Sequence, residues 1–124
     1  MTSPDTPIDP ADPVATNPEH YRVLFENDRV RVLDYLDRPG DATTPHHHPD
    51  SVMLTLTAFS RRLSANGRLI DLTLPAGEAF WLPEQTHSGQ NTGSTPTHTI
   101  FVELREPAAT PQPPAAAPLG PQPG

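Results

Sequence analysis

Three consecutive histidines, His46, His47 and His48, make up half of the six histidines in the chain and lie between two prolines. In extended backbone successive side chains point to opposite faces, so His46 and His48 share one face and His47 takes the other. Two neutral imidazoles on one face can hold a metal ion when a third ligand comes from elsewhere in the fold. His87 is the candidate for that third ligand, and a solvated histidine-rich turn is the alternative.

The distribution of proline predicts one folded unit between two irregular ends. The chain of 124 residues contains 18 prolines and no cysteine. Closely spaced prolines prevent helix and strand formation, which predicts a disordered Pro/Asp-rich leader over residues 1–18 and a disordered Pro/Ala-rich tail over residues 107–124. Residues 19–106 are left as the folded domain. Removal of residues 1–17 and 108–124 is then expected to leave its melting temperature nearly unchanged.

Charge and hydropathy limit the kinds of molecule that the chain is expected to bind. The net charge is −7, and all eight basic residues are arginines. An acidic chain without a basic cluster is a poor match for nucleic acid or an anionic membrane. No apolar run approaches the ~20 residues of a membrane span, and the N-terminus does not resemble a secretory signal. A cytoplasmic protein with a small-molecule ligand or substrate is therefore expected, without disulfides or thiol catalysis.

The pattern of short apolar runs between turns predicts an all-β barrel or sandwich. The predicted strands cover residues 21–25, 30–37, 51–58, 61–64, 69–74, 79–82 and 97–105. No long window has a helical period free of proline and glycine, so no helix is predicted. Asn66 and Gly67 form the strongest hairpin signal. Gly40 and Gly77 follow prolines in turns, and positive φ is expected at one or both.

Two further residues are candidates for the site. His98 alternates in the last strand with Ile100 and Val102, which predicts that it faces the barrel interior as a core histidine or a fourth ligand. Trp81 lies in a short strand before a proline. It is interpreted as core or rim packing, with an aromatic wall of a pocket as the alternative.

Two segments, residues 40–48 and 77–91, resemble the two sequence motifs of the cupin superfamily. The matching residues are Gly40, His46 and His48 in the first motif and Gly77, Pro83, His87 and Asn91 in the second. The resemblance covers about residues 21–105. It implies a single cupin-type β-barrel, also called a double-stranded β-helix or jelly roll, with His46, His48 and His87 as metal ligands. It also implies a homodimer formed through edge strands.

The chain departs from these motifs in its ligand set. The glutamate of the first motif would fall at Val52 or Met53, which makes Met53 a candidate pocket residue or fourth ligand. The glycine before the second motif's histidine is Gln85, and one residue is missing between that motif's proline and its histidine. A three-histidine set without a carboxylate resembles that of the thiol dioxygenases and diketone-cleaving dioxygenases, which are also cupins.

This resemblance implies a divalent metal ion, with Fe(II) favoured and Zn, Ni or Mn as alternatives. It further implies a dioxygenase-like enzyme that acts on a small polar metabolite. A cupin that binds a small molecule or a metal without turnover is the alternative. Among cupins the chain resembles the small stand-alone proteins grouped with a β-alanine degradation protein, through residues 25–32, 48–52, 81–83 and 101–104. That grouping implies a pathway context and no particular reaction.

Overall fold

Two antiparallel sheets form the protein in the computed structural model, which describes residues 9–106 and 119–121. The strands are β1 (Tyr21–Glu26), β2 (Val30–Asp37), β3 (His46–His48), β4 (Ser51–Thr55), β5 (Phe59–Ala65), β6 (Arg68–Leu74), β7 (Ala79–Leu82), β8 (Gln85–Asn91) and β9 (Thr97–Leu104). One sheet has the order β1-β2-β9-β4-β7 and the other has the order β3-β8-β5-β6. The predicted all-β class is confirmed.

Strand β8 was not among the strands predicted from the sequence. Its residues are mostly polar, and only Thr86 is β-branched, so its propensity for a strand is low. It forms because it is hydrogen-bonded on both sides, to β3 and to β5. Strand pairing in three dimensions therefore overrides the local preference.

The turns follow the sequence prediction. Asn66 and Gly67 have φ values of 52° and 75° and connect β5 to β6, as expected for the hairpin. Gly40 has a φ of 89° and Gly77 a φ of 78°. A side chain at either glycine would be strained in this left-handed conformation, although the space beside both is open.

The inner face of β9 is polar, which reverses the expectation from its apolar alternation. Thr97, Thr99, Phe101 and Glu103 are buried, whereas His98 and its alternating neighbours lie on the opposite face. Among the described residues, buried polar side chains outnumber buried hydrophobic side chains. The apolar stripe of β9 therefore marks the outer face of the barrel, and the polar stripe faces the interior.

Residues 9–18, predicted as part of a disordered leader, are attached to the barrel. They contain a short helix, α1 (Pro13–Thr16), which the Asp12 side chain caps by accepting a hydrogen bond from the Val14 amide. Asn17 is buried and accepts from the Thr44 amide at 2.9 Å. A four-residue helix is too short to show a helical period in the sequence. Within the described residues, no helix has the length and apolar character needed to cross a membrane.

Removal of residues 1–17 is expected to lower the free energy of unfolding by about 3 kcal/mol, contrary to the expectation from the sequence. The deletion removes the buried Asn17 from the amide and carbonyl of Thr44. It also removes the Ala11 carbonyl from the amide of His47. Urea unfolding measures the loss. Removal of residues 1–8 is the control, because it touches none of these contacts, and a loss below about 1 kcal/mol for the longer deletion would contradict the prediction.

The predicted tail, residues 107–124, lies outside the described residues except for residues 119–121.

Candidate metal centre

Strand pairing brings three histidines together in the barrel interior. His46 lies directly opposite His87 in the pairing of β3 with β8, and His48 lies two residues along the same face of β3. The ring centroids are 4.9 Å apart for His46 and His48, 4.9 Å for His46 and His87, and 5.1 Å for His48 and His87. All three residues are buried, and each offers a nitrogen atom within 4.8 Å of the other two. The structure thus gathers the three histidines singled out in the sequence.

The Nδ1 atom of each ring faces an oxygen atom. The distances are 2.7 Å from His46 to the Thr44 carbonyl, 3.2 Å from His48 to Oε2 of Glu103, and 2.7 Å from His87 to Oε1 of Gln85. A carbonyl or carboxylate oxygen can only accept, so each Nδ1 carries the proton and each Nε2 carries a lone pair. Metal-ligating histidines almost always donate their second ring nitrogen in this way. The three Nε2 atoms are thus the available ligand atoms.

Neither protein-family models nor curated proteins match the sequence. Solved structures do match, and their descriptions name the fold. A cupin domain from Bordetella pertussis Tohama I is 25% identical, with a TM-score of 0.65, over 69% of this chain and 92% of that chain. The chain is a small protein of the cupin superfamily.

Two further structures share the architecture of this cupin. A double-stranded β-helix protein from Klebsiella pneumoniae is 20% identical, with a TM-score of 0.55, over 89% of this chain and 85% of that chain. A cupin superfamily protein from Desulfitobacterium hafniense is 17% identical, with a TM-score of 0.53, over 69% of this chain and 76% of that chain. At these identities the likeness shows the fold alone.

The Tyr21 hydroxyl lies between two of the candidate ligands. It is 3.2 Å from Nε2 of His46 and 3.2 Å from Nε2 of His48. Burial raises the pKa of Tyr21 well above its ordinary value, so the hydroxyl keeps its single proton. That proton can be donated to only one of the two lone pairs, and the other lone pair faces the hydroxyl oxygen. A cation bound by the Nε2 atoms would satisfy the remaining lone pairs.

Burial also keeps two of the rings neutral. Burial lowers the pKa of His46 to about 4 and that of His87 to about 3, and the neighbouring His48 and Arg61 add to both shifts. At neutral pH these imidazoles carry no proton on Nε2. They can therefore bind a metal ion without releasing protons, whereas an ordinary histidine competes with protons for the metal below about pH 6.5.

Glu103 is a functional candidate that the sequence did not reveal. It is buried in β9, where Oε2 accepts from Nδ1 of His48 and Oε1 accepts from Arg31 at 2.9 Å. Arg31 in turn contacts Asp12 of the N-terminal segment. Glu103 lies outside both motifs, and its only signal was its alternation with Thr97 and Thr99 on the polar face of β9. In metal sites a carboxylate–histidine pair of this kind orients the ligating ring and raises its basicity.

His47 and Met53 lie where the sequence favours them. His47 points away from the cluster, and its Nε2 is 3.1 Å from Oε2 of Glu84 on the outer surface. Met53 packs against the core and lines the interior cavity. Met53 is therefore a wall residue of the site, whereas His47 is not part of it.

His98 and Trp81 lie outside the site. The alternative roles considered for them, a fourth ligand for His98 and a pocket wall for Trp81, are therefore wrong. Nε2 of His98 is 2.7 Å from Oδ1 of Asp34, on the outer face of the sheet. Trp81 is 56% exposed on the edge strand β7. For His98 the reason is that the apolar residues that alternate with it in β9 lie on the outer face. For Trp81 the reason is that all four residues of β7 are apolar, so the sequence does not indicate which face of that strand is inside.

A cavity of about 80 Å³ lies against the histidine cluster. His46, His87 and Tyr21 form part of its wall, and most of the remainder is apolar. Further polar side chains reach the same cavity, among them Arg61 and Thr99. The space suits a few water-sized groups or a small metabolite, and it is smaller than the 300–1,000 Å³ typical of drug-sized ligands.

Proposed function

We propose that this cupin binds one divalent metal ion through Nε2 of His46, His48 and His87 and acts on a small polar metabolite. The observation that carries the proposal is the position of the three Nδ1 atoms against oxygen acceptors, which leaves three convergent lone pairs. Fe(II) is favoured, with Zn, Ni or Mn as alternatives. Held by three neutral imidazoles, Fe(II) would keep its full charge and would supply the chemistry of dioxygenases.

The residues around the cavity favour oxygen chemistry over acid–base chemistry. Glu103, the carboxylate nearest the cluster, is held by Arg31 and His48. Asp37, the other buried carboxylate in the described residues, is held by Arg61. Isomerases and hydrolases need a base within reach of the substrate. Neither carboxylate is free to serve as one, so the chain's own residues bind and orient the substrate and exclude water from it.

Replacement of His87 by alanine is expected to weaken the binding of Fe(II) or Zn(II) at least about 100-fold, because two imidazoles make a poor site. The metal content of the purified variant, measured by elemental analysis after loading, checks this. The matched control is His47→Ala, which removes a neighbouring histidine from the outer surface and should keep the metal. Loss of metal in His47→Ala together with retention in His46→Ala would contradict the assignment of the inward face.

Measurement of oxygen consumption distinguishes a dioxygenase from a cupin that binds its ligand without turnover. The Fe(II)-loaded protein is mixed with pools of small polar metabolites, and dioxygen uptake is followed with an electrode. Uptake that depends on both a metabolite and His87 supports a dioxygenase. A protein that retains its metal but consumes no dioxygen with any pool would support a cupin that binds without turnover.

The expected homodimer stays a prediction. The outer face of the five-stranded sheet exposes apolar side chains that a second copy could cover, among them Leu36, Leu54, Trp81 and Leu104. Sedimentation of the purified protein measures the oligomeric state.

A further inference from the structure

A buried hydroxyl without a hydrogen-bond partner lies in the wall of the cavity. Thr99 is 1% exposed, and its Oγ1 is the buried side-chain polar atom that lacks a partner among the described residues. It lines the same cavity as His46 and His87. Burying a hydroxyl without a hydrogen-bond partner is unfavourable. A ligand in the cavity can remove this cost by accepting a hydrogen bond from Thr99.

The Arg61 guanidinium reaches the same cavity with part of its donor capacity unused. Its Nη1 contacts Asp37 and donates to Oγ1 of Thr97 at 3.2 Å, and its Nη2 donates to the Tyr35 hydroxyl at 3.2 Å. Its Nε makes no hydrogen bond to any described residue, although a guanidinium has five N–H donors. Thr97 and Thr99 share the inner face of β9, so Arg61 and the unpaired hydroxyl lie on the same side of the barrel.

Gly89 in β8 leaves space for the guanidinium of Arg61. A Cβ at this position would lie 2.9 Å from Nη2 and 3.3 Å from Nε of Arg61. No real Cβ atom tolerates the shorter contact, so any side chain at this position would displace the guanidinium. The Arg61 guanidinium therefore occupies space in the cavity wall that a side chain at residue 89 would need.

A divalent ion at the three histidines would leave uncompensated positive charge inside the barrel. Arg61 and Asp37 cancel each other. Glu103 is paired with Arg31, which also contacts the partly exposed Asp12 of the N-terminal segment. Uncompensated charge in a protein interior is costly, and a bound carboxylate would offset part of it.

We propose that the cavity is the binding site for a short aliphatic monocarboxylate. Its carboxylate accepts hydrogen bonds from Oγ1 of Thr99 and from Arg61, and its apolar part contacts walls such as Met53, Phe59 and Leu72. The inference rests on the proposed function, because the charge balance requires the divalent ion. It names the substrate class of the same site, with a size limited by the cavity volume of about 80 Å³.

Propionate is the probe, with the Zn(II)-loaded protein, because zinc occupies the site without redox chemistry. Titration calorimetry is expected to show binding of propionate at least about 10-fold tighter than binding of propionamide, the neutral analogue of the same shape. Metal-free protein is expected to bind propionate at least about 10-fold more weakly than loaded protein, because it lacks the excess positive charge.

Thr99→Val tests the hydroxyl, because the change keeps the shape of the side chain and removes its polar atom. Propionate affinity is expected to fall about 10-fold, whereas the melting temperature rises or stays the same. Thr99→Ser keeps the hydroxyl and should keep the affinity. Thr73→Val, on the exposed face of β6, is the matched control and should change neither the affinity nor metal uptake.

The outcomes separate the inference from the proposed function on which it rests. Zinc uptake with equal affinity for propionate in the wild type and Thr99→Val overturns the inference alone, as does equal binding of propionamide. Failure of the wild type to take up zinc overturns the proposed function and the inference with it. If Thr99→Val does not fold, Thr99→Ala takes its place, and the same affinity comparison with Thr99→Ser decides.

Discussion

Asp37→Asn is expected to lower the free energy of unfolding of this cupin by about 3–5 kcal/mol, because it leaves the buried Arg61 without its counter-charge. Asp37 accepts three hydrogen bonds, from Arg61, from the Tyr35 hydroxyl and from Nδ2 of Asn91 at 3.0 Å. An asparagine would place its own amide donors among these donors. Urea unfolding of the metal-free protein measures the loss.

Two variants show whether the buried charge is the cause. Asp71→Asn breaks an exposed ion pair with Arg62 and is expected to leave stability nearly unchanged, because water screens that pair. Adding Arg61→Met to Asp37→Asn removes both charges and should recover part of the stability, because an uncharged pair replaces an unpaired cation. Equal losses in Asp71→Asn and Asp37→Asn would show that burial of the charge is not what matters.

The histidine cluster could be predicted because both of its requirements leave a signal in the sequence. The two-residue period of a strand puts His46 and His48 on one face. The spacing of the second motif put His87 in a position that pairs with β3. The glycine turns were predictable for a similar reason, because the conformation at Gly40 and Gly77 suits few other residues.

The features that could not be predicted from the sequence depend on which face of a sheet points into the barrel interior. Sequence rules assume an apolar interior, but this barrel encloses imidazoles, threonines and ion pairs. His98 and Trp81 were therefore interpreted as candidates for the interior, while Glu103 and Arg61 were missed. The attachment of residues 9–18 was also hidden, because it depends on Asn17 and Asp12, polar residues whose partners are distant in sequence. The grouping with the β-alanine degradation protein stays a prediction.

Acidification is expected to destabilise the metal-free protein through two of its buried histidines. The pKa of His46 is lowered to about 4 and that of His87 to about 3, whereas an unfolded chain binds these protons near pH 6.5. Between these values the unfolded state carries more protons than the folded state, so stability falls as the pH falls and levels off below the folded values. From about pH 7.5 to about pH 5 each ring accounts for a loss of about 2 kcal/mol.

The contribution of one ring can be isolated with His87→Asn, which removes a titrating group and keeps a polar side chain. This variant is expected to lose about 2 kcal/mol less than the wild type over the same pH interval, as measured by urea unfolding at each pH. His47→Asn is the control, because His47 lies outside the cluster and contacts Glu84 at the surface. If His87→Asn and the wild type show the same dependence on pH, burial does not keep His87 neutral. Metal binding at neutral pH would then have to displace a proton from that ring.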